Sequence, residues 1–180
     1  MNIFFLDDDP RQAARDLGDR HVGKMLLEAC QMMSTAARAN GFDGGYASAY
    51  ENHPMTKWVG TSMQAFNWAW EHALALGEEH ERRFGTYHKS LSLLPTLSTA
   101  MHTVIPDAEW RNPPRCMPDE YKLNYDIHKS ERKLRWDDQS CHVSSYRLYY
   151  INTKQSCHKW TNHEHVKPTW FDSHAMLECA

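Results

Sequence analysis

The residue types that acid–base chemistry requires are concentrated on two turns of one amphipathic stretch. His21, Lys24 and Glu28 follow one another at steps of three and four residues. At about 100° per residue, Glu28 falls about 20° from His21 and Lys24 about 60° from it, so the three share one rim beside the apolar arc of Met25 and Met32. A carboxylate half-withdrawn from water, with an amine and an imidazole on the same rim, suits proton transfer near neutral pH. The same spacing also makes an ordinary ion pair between Lys24 and Glu28 with a first-turn histidine beside it, and spacing leaves both readings open. Two further groups could receive an anion. Asn52 and His53 precede Pro54 at a helix start, and His88 and Lys89 follow Gly85 at a helix end, although punctuation and dipole compensation account for both equally well.

The whole chain carries 20 Lys+Arg against 23 Asp+Glu, a net charge of −3, which excludes a uniformly basic nucleic-acid coat. The charge is divided unevenly. Residues 1–91 hold 9 basic and 12 acidic groups (net −3), whereas residues 122–159 hold 8 basic and 4 acidic (net +4). Lys122, Arg132, Lys133, Arg135 and Arg147 are interleaved there with Tyr125, Trp136, Tyr146, Tyr149, Tyr150 and Trp160, the composition that contacts phosphates and stacks on bases. A solvated helix face with its aromatics turned into a core has the same composition. Cys141-His142, Cys157-His158 and His163-x-His165 are competent zinc ligands, but their spacing matches no finger, and adjacent pairs on a helix point about 100° apart. No metal and no cofactor is expected. Phosphate-binding and dinucleotide glycine loops and nucleophile-elbow motifs are absent. The five cysteines follow no framework, which suits free thiols in a reducing compartment, and no apolar run suggests a signal peptide or a membrane span.

These groups need helices to position them. Asp9 and Pro10 open a short helix that Gly18 ends, with Asp19 available to cap the next. Val22, Met25, Leu26, Ala29, Met32, Met33 and Ala36 then mark a long helix up to Asn40-Gly41. A second long helix carries Trp58, Met63, Phe66, Trp70, Ala73, Leu74 and Gly77 and closes at Gly85. Five prolines from Pro95 to Pro118 describe a surface connection with one short helix over residues 96–103. Asp119 caps a charged segment running to Asp137, helical spacing continues from Val143 to Trp160, and the tail from His163 reads as irregular. The expected fold is all-α: one compact helical domain, residues 1–180, with a long proline-rich surface connection.

The chain resembles small tailed-phage proteins beginning with an MNIF-x-LD-like strand, through DRHVGKMLLE (residues 19–28), NHP (52–54), RFGTYHK (83–89), MPDEYK (117–122), YRLYY (146–150) and KPTWF (167–171). More remotely, Asp19-x-His21 followed after six residues by Glu28, together with Pro168-Thr169-Trp170-Phe171, is similar to the pyrimidine-dimer DNA glycosylases of the endonuclease V type. That resemblance implies a DNA partner and a glycosylase with a linked abasic-site lyase. An amine would attack C1′ of a damaged nucleotide while Glu28 stabilises the sugar-imine species and His21 positions sugar or phosphate. The nucleophile there is the α-amine at the chain start, here that of Met1, or of Asn2 after processing, with Lys24 as a substitute. Leu27 stands where those enzymes carry a basic residue. An enzyme acting on a modified phage base and a non-catalytic nucleic-acid or protein-binding module are the alternatives. The phage resemblance implies work in the cytoplasm of an infected host cell and leaves oligomeric state open.

Overall fold

Helix signals in the sequence translate directly into caps. In the computed structural model, which describes residues 2–123, 141–161 and 167–171, α1 spans Pro10–Asp16, with Pro10 in its first turn and the Asp9 carboxylate accepting from the Arg11 N–H at 2.9 Å. Helix α2 (Asp19–Ala39) starts at Gly18 and closes at Asn40. Asp19 is therefore its first residue and not its cap. Its carboxylate instead accepts from the Thr161 N–H and hydroxyl, tying the helix start to the C-terminal part of the chain.

The second long helix is two helices. Gly60 closes α3 (Pro54–Val59), and the Ser62 hydroxyl accepts from the Ala65 N–H at 3.1 Å to open α4 (Met63–Phe84). Periodicity runs through this break because Trp58 and Phe66 face the same core. Gly85 ends α4 in the left-handed region, at φ 66°, where a side chain would strain the backbone. A 3-10 turn (Lys89–Leu93) leads into α5 (Leu94–Thr103), which has Pro95 in its first turn. The charged segment after Asp119 begins with only a 3-10 turn, Asp119–Tyr121, and residues 124–140 lie outside the described residues. Helix α6 (Cys141–Thr153) ends before Trp160, whose indole N–H donates instead to the Asp16 carbonyl from irregular chain.

The all-α expectation holds, and no strand occurs among the described residues. The strand implied at the chain start is replaced by an irregular, fully buried thread, Ile3 to Leu6. Phe4 lies against His21, Tyr149 and Tyr150, and Phe5 stacks on Trp68 at 3.8 Å between ring centroids. The thread thus plugs the space between α2, α4 and α6, contributing about 1.5–3 kcal/mol for each large apolar side chain it buries. Helix α4 packs against both α1 and α2. Arg83, wholly buried on α4, donates to the Leu17 carbonyl at 2.6 Å and the Arg15 carbonyl at 2.9 Å while pairing with Glu79 and Asp19. One cation therefore serves the carbonyls at the end of α1 and the carboxylate at the start of α2. No helix among the described residues is long and apolar enough to cross a membrane.

Candidate active site around Glu28 and the chain start

Burying the thread from Ile3 to Leu6 fixes where the chain start emerges: beside the middle of α2. There the Asn2 N–H donates to Glu28 Oε2 at 3.0 Å. The Asn2 side chain is held as well. Its Nδ2 donates to the Cys116 carbonyl at 3.0 Å, and its Oδ1 accepts from the Tyr146 hydroxyl at 3.3 Å. Tyr146, buried on α6, shares its one hydroxyl proton between Asn2 Oδ1 and the nearer Pro114 carbonyl at 2.9 Å and accepts from the Cys116 N–H. Three elements, α2, α6 and the proline-rich connection, therefore converge on residue 2 and press its nitrogen against one carboxylate. Glu28 keeps 13% of its side-chain surface and sits 3.8 Å from the exposed Lys24 ammonium.

His53 completes this cluster. As the cap of α3, its Nδ1 accepts from the Met55 N–H at 3.2 Å. Burial lowers its pKa and Glu28 opposes that shift, so the ring lies within the field of the carboxylate. Burial holds the Cys116 thiol up, against hydrogen bonds with Tyr146 and the Met55 backbone and the charge of Lys122. Lys122 is itself paired with Asp119 at 2.7 Å. Asn52 is exposed in the turn before His53, and Met1 lies outside the described residues.

His21 does not join the cluster. It is buried one helical turn from Lys24, with Nδ1 2.8 Å from the Tyr150 hydroxyl and Nε2 3.6 Å from Cys157 Sγ. That hydroxyl accepts from the Gly18 N–H, leaving its own hydrogen for Nδ1, so the Nε2 proton points to the sulfur. Burial, reinforced by the charges of Lys24 and Lys154, holds its pKa down at about 4 and keeps the ring neutral. Seven residues separate it from Glu28, about 10 Å along the axis. His88 caps the Lys89–Leu93 turn through the Ser90 N–H and meets His80 edge to face, while Lys89 is exposed.

Arg147 points inward. Its guanidinium donates to the Leu6 carbonyl at 2.6 Å, pairs with Asp7 at 3.0 Å and lies over the Trp170 ring at 4.9 Å. Arg132, Lys133 and Arg135 lie outside the described residues. Asp16, which no spacing argument marks, is the other end of this network. Burial raises its pKa to about 6 against the pull of the Trp170 indole, which donates at 2.6 Å, of Gln12 and of Arg147. The KPTWF stretch is thus partly a clamp across α1 and α6. Of the zinc candidates, Cys157 faces His21, His142 faces Asp8 at 3.5 Å, and His158 packs against Tyr150 and Phe171; His163 and His165 are outside the described residues. No group of three metal-competent side chains occurs among the described residues, and the four cysteines described are free thiols.

Spacing singles out Glu28 and His53, and the family resemblance offers Asn2 as an alternative amine, but Cys116 and Tyr146, which hold Asn2 in place, carry no signal in the sequence. No periodicity could have found Asn2, because the contact spans 26 residues and depends on the buried thread.

What this geometry offers chemically is a half-buried carboxylate as proton acceptor, a backbone nitrogen of the chain start at hydrogen-bond distance, and a neighbouring imidazole with a lowered pKa. Comparison with protein families matches residues 1–92, just over half of the chain, to the family described as pyrimidine dimer DNA glycosylase. Comparison with curated proteins and with solved structures gives no match.

Proposed function

Because the chain belongs to the pyrimidine dimer DNA glycosylase family, we propose that it removes a damaged or altered base from DNA through the amine at its chain start, with Glu28 as the partner carboxylate. The observation that carries this reading is the 3.0 Å contact between the residue-2 nitrogen and Glu28. If Met1 is removed, that nitrogen is the α-amine itself; if Met1 stays, the α-amine is one residue, about 3.8 Å of Cα trace, further on. An α-amine with a free pKa near 8 is partly neutral at physiological pH and so can act as a nucleophile. Its lone pair adds to C1′ as the glycosidic bond breaks toward the base. Glu28 takes the amine proton and returns it to O4′ as the ring opens to the positive imine, and the carboxylate then accepts a C2′ proton as the 3′ phosphate is eliminated and the strand is cut.

Removing a nucleotide from the stack gives the site access to C1′. His53 and Lys24 flank the carboxylate, and Lys24, Lys89 and Lys122 are the cations proposed to meet phosphates there. His21 acts in this scheme as a positioning residue, locking the start of α2 to α6 through Tyr150. The resemblance of the sequence to tailed-phage proteins supports an infected host cell as the setting of the reaction. Leu27, 38% exposed where the similar enzymes carry a cation, favours a second reading in which the target is a modified base and not a photodimer.

Strand cleavage of duplexes holding a single thymine dimer, a single abasic site or no lesion tests the proposal. Cleavage confined to modified duplexes and reduced at least about 100-fold by Glu28→Gln is expected. Equal cleavage by wild type and variant would remove Glu28 from the chemistry.

A further inference from the structure

Tyr50 combines two properties that oppose each other energetically. It is the one non-glycine residue among those described with a positive φ, 55°, and its side chain is among the most exposed large ones, at 65%. A bulky residue in the left-handed region is strained, and an aromatic ring left in water contributes nothing to a core. The strain is enforced from both sides. Thr35 on α2 holds Ala49, accepting from its N–H at 3.0 Å while its one proton is shared between the Ala49 carbonyl at 3.1 Å and the Gln31 carbonyl at 2.9 Å. The His53 N–H donates to the Tyr50 carbonyl at 2.9 Å, closing a turn through Glu51 and Asn52.

These anchors also locate the ring. Thr35 and Glu28 are seven residues apart on α2, two turns, so they share a face and are separated by about 10 Å along the axis. Ala49 is fixed at the Thr35 end of that face, and His53 lies in the field of Glu28 at the other. Tyr50 sits between them on a short, doubly anchored loop, and its ring is free to meet whatever lies across the candidate site.

Resting on the function proposed above, we infer that Tyr50 is a stacking wedge: its ring enters the duplex where a nucleotide has left the stack and covers the exposed face of the neighbouring base. One aromatic ring fills a gap of about one base step, roughly 3.4 Å, and stacks on any base, so the contact is tolerant of sequence. The strained backbone is the cost of aiming the ring outward, which a glycine at the same place would not incur.

The experiment uses the full chain with Tyr50→Phe and Tyr50→Gly variants. A duplex with a tetrahydrofuran abasic analogue, which cannot be cleaved, carries 2-aminopurine next to the gap. Wild type and Tyr50→Phe are expected to quench 2-aminopurine to the same extent and to bind alike. Tyr50→Gly is expected to bind about tenfold more weakly, to leave the fluorophore unquenched, and to melt at a temperature no lower than the wild type. Binding of Tyr50→Gly within twofold of the wild type, with the same quenching, overturns the wedge. Borohydride trapping on a natural abasic site reports the underlying reading separately. Trapping by wild type together with unaltered binding by Tyr50→Gly sinks only the wedge, whereas a wild type that prefers no gapped duplex and gives no adduct sinks both.

Discussion

Replacing Gly18 by alanine should destabilise the protein by about 3 kcal/mol, although every local rule points the other way. Gly18 has φ −69° and ψ 160°, which alanine adopts freely, so the loss of unfolded-state entropy alone would stabilise by about 0.5 kcal/mol. The obstacle is tertiary. A Cβ there would stand 1.8 Å from the Cys157 carbonyl oxygen and 2.9 Å from its carbon, both backbone atoms. Relief requires the Gln155–Cys157 turn to retreat by well over 1 Å, which puts at risk the Asp19 N–H donation to the Lys159 carbonyl (2.7 Å) and the Gly18 N–H donation to Tyr150 (3.0 Å). Overpacking costs about 1–3 kcal/mol and each orphaned buried polar group about 1–3, of which relaxation recovers part. With a urea m-value of about 2 kcal/mol/M, the midpoint should fall by about 1.5 M, and amide exchange should accelerate in residues 155–161. An unchanged or raised midpoint would refute the close approach of α2 to the C-terminal chain, and with it the locked His21.

Acid should weaken the fold in a defined window. His21 and His72 are both held near pKa 4 by burial, so each is neutral in folded and unfolded chains above pH 6.5 and loses stability as pH falls from 6.5 through 4, by about 3 kcal/mol apiece. Asp16, raised to about 6, acts oppositely, its cost above pH 6 disappearing toward 3.8 and offsetting one of the two. Urea midpoints at pH 7, 5.5 and 4 should therefore fall, and His72→Gln should flatten the decline; a flat wild-type profile would contradict the buried neutral rings. Arg147→Met should destabilise by about 3–5 kcal/mol while leaving the salt dependence of DNA binding unchanged, whereas Lys89→Gln should reduce the salt slope by about one and leave stability alone. The reverse pattern would return Arg147 to the DNA surface. Trp170→Phe, which strips the indole donor from Asp16, should cost about 1–3 kcal/mol in chemical denaturation, and a loss under 0.5 kcal/mol would show the clamp to be idle.

What the sequence made legible was the local part. Asp9-Pro10, Asn40-Gly41 and Gly85 announced helix ends because caps are set by residues within a turn of each other. The break at Gly60 to Ser62 was hidden because both helices present apolar residues to the same core and the period continues across it. Glu28 stood out by spacing, yet its partner Asn2 could not, since a 26-residue contact is fixed by the burial of Ile3 to Leu6. Charge counting marked residues 122–159 as basic, but Arg147 within them neutralises Asp7 and Asp16 inside the protein. A net charge is a sum over side chains and does not say which of them face water.

The amine that becomes attached to DNA identifies the nucleophile. Sodium borohydride trapping on an abasic-site duplex, followed by proteolysis and mass mapping of the adduct, identifies the attacking amine. The modification is expected on the amino-terminal peptide, absent after selective acetylation of the α-amine and strongly reduced in Glu28→Gln. An adduct on Lys24 or elsewhere, or none from the wild type, would contradict the role assigned to the chain start at Glu28.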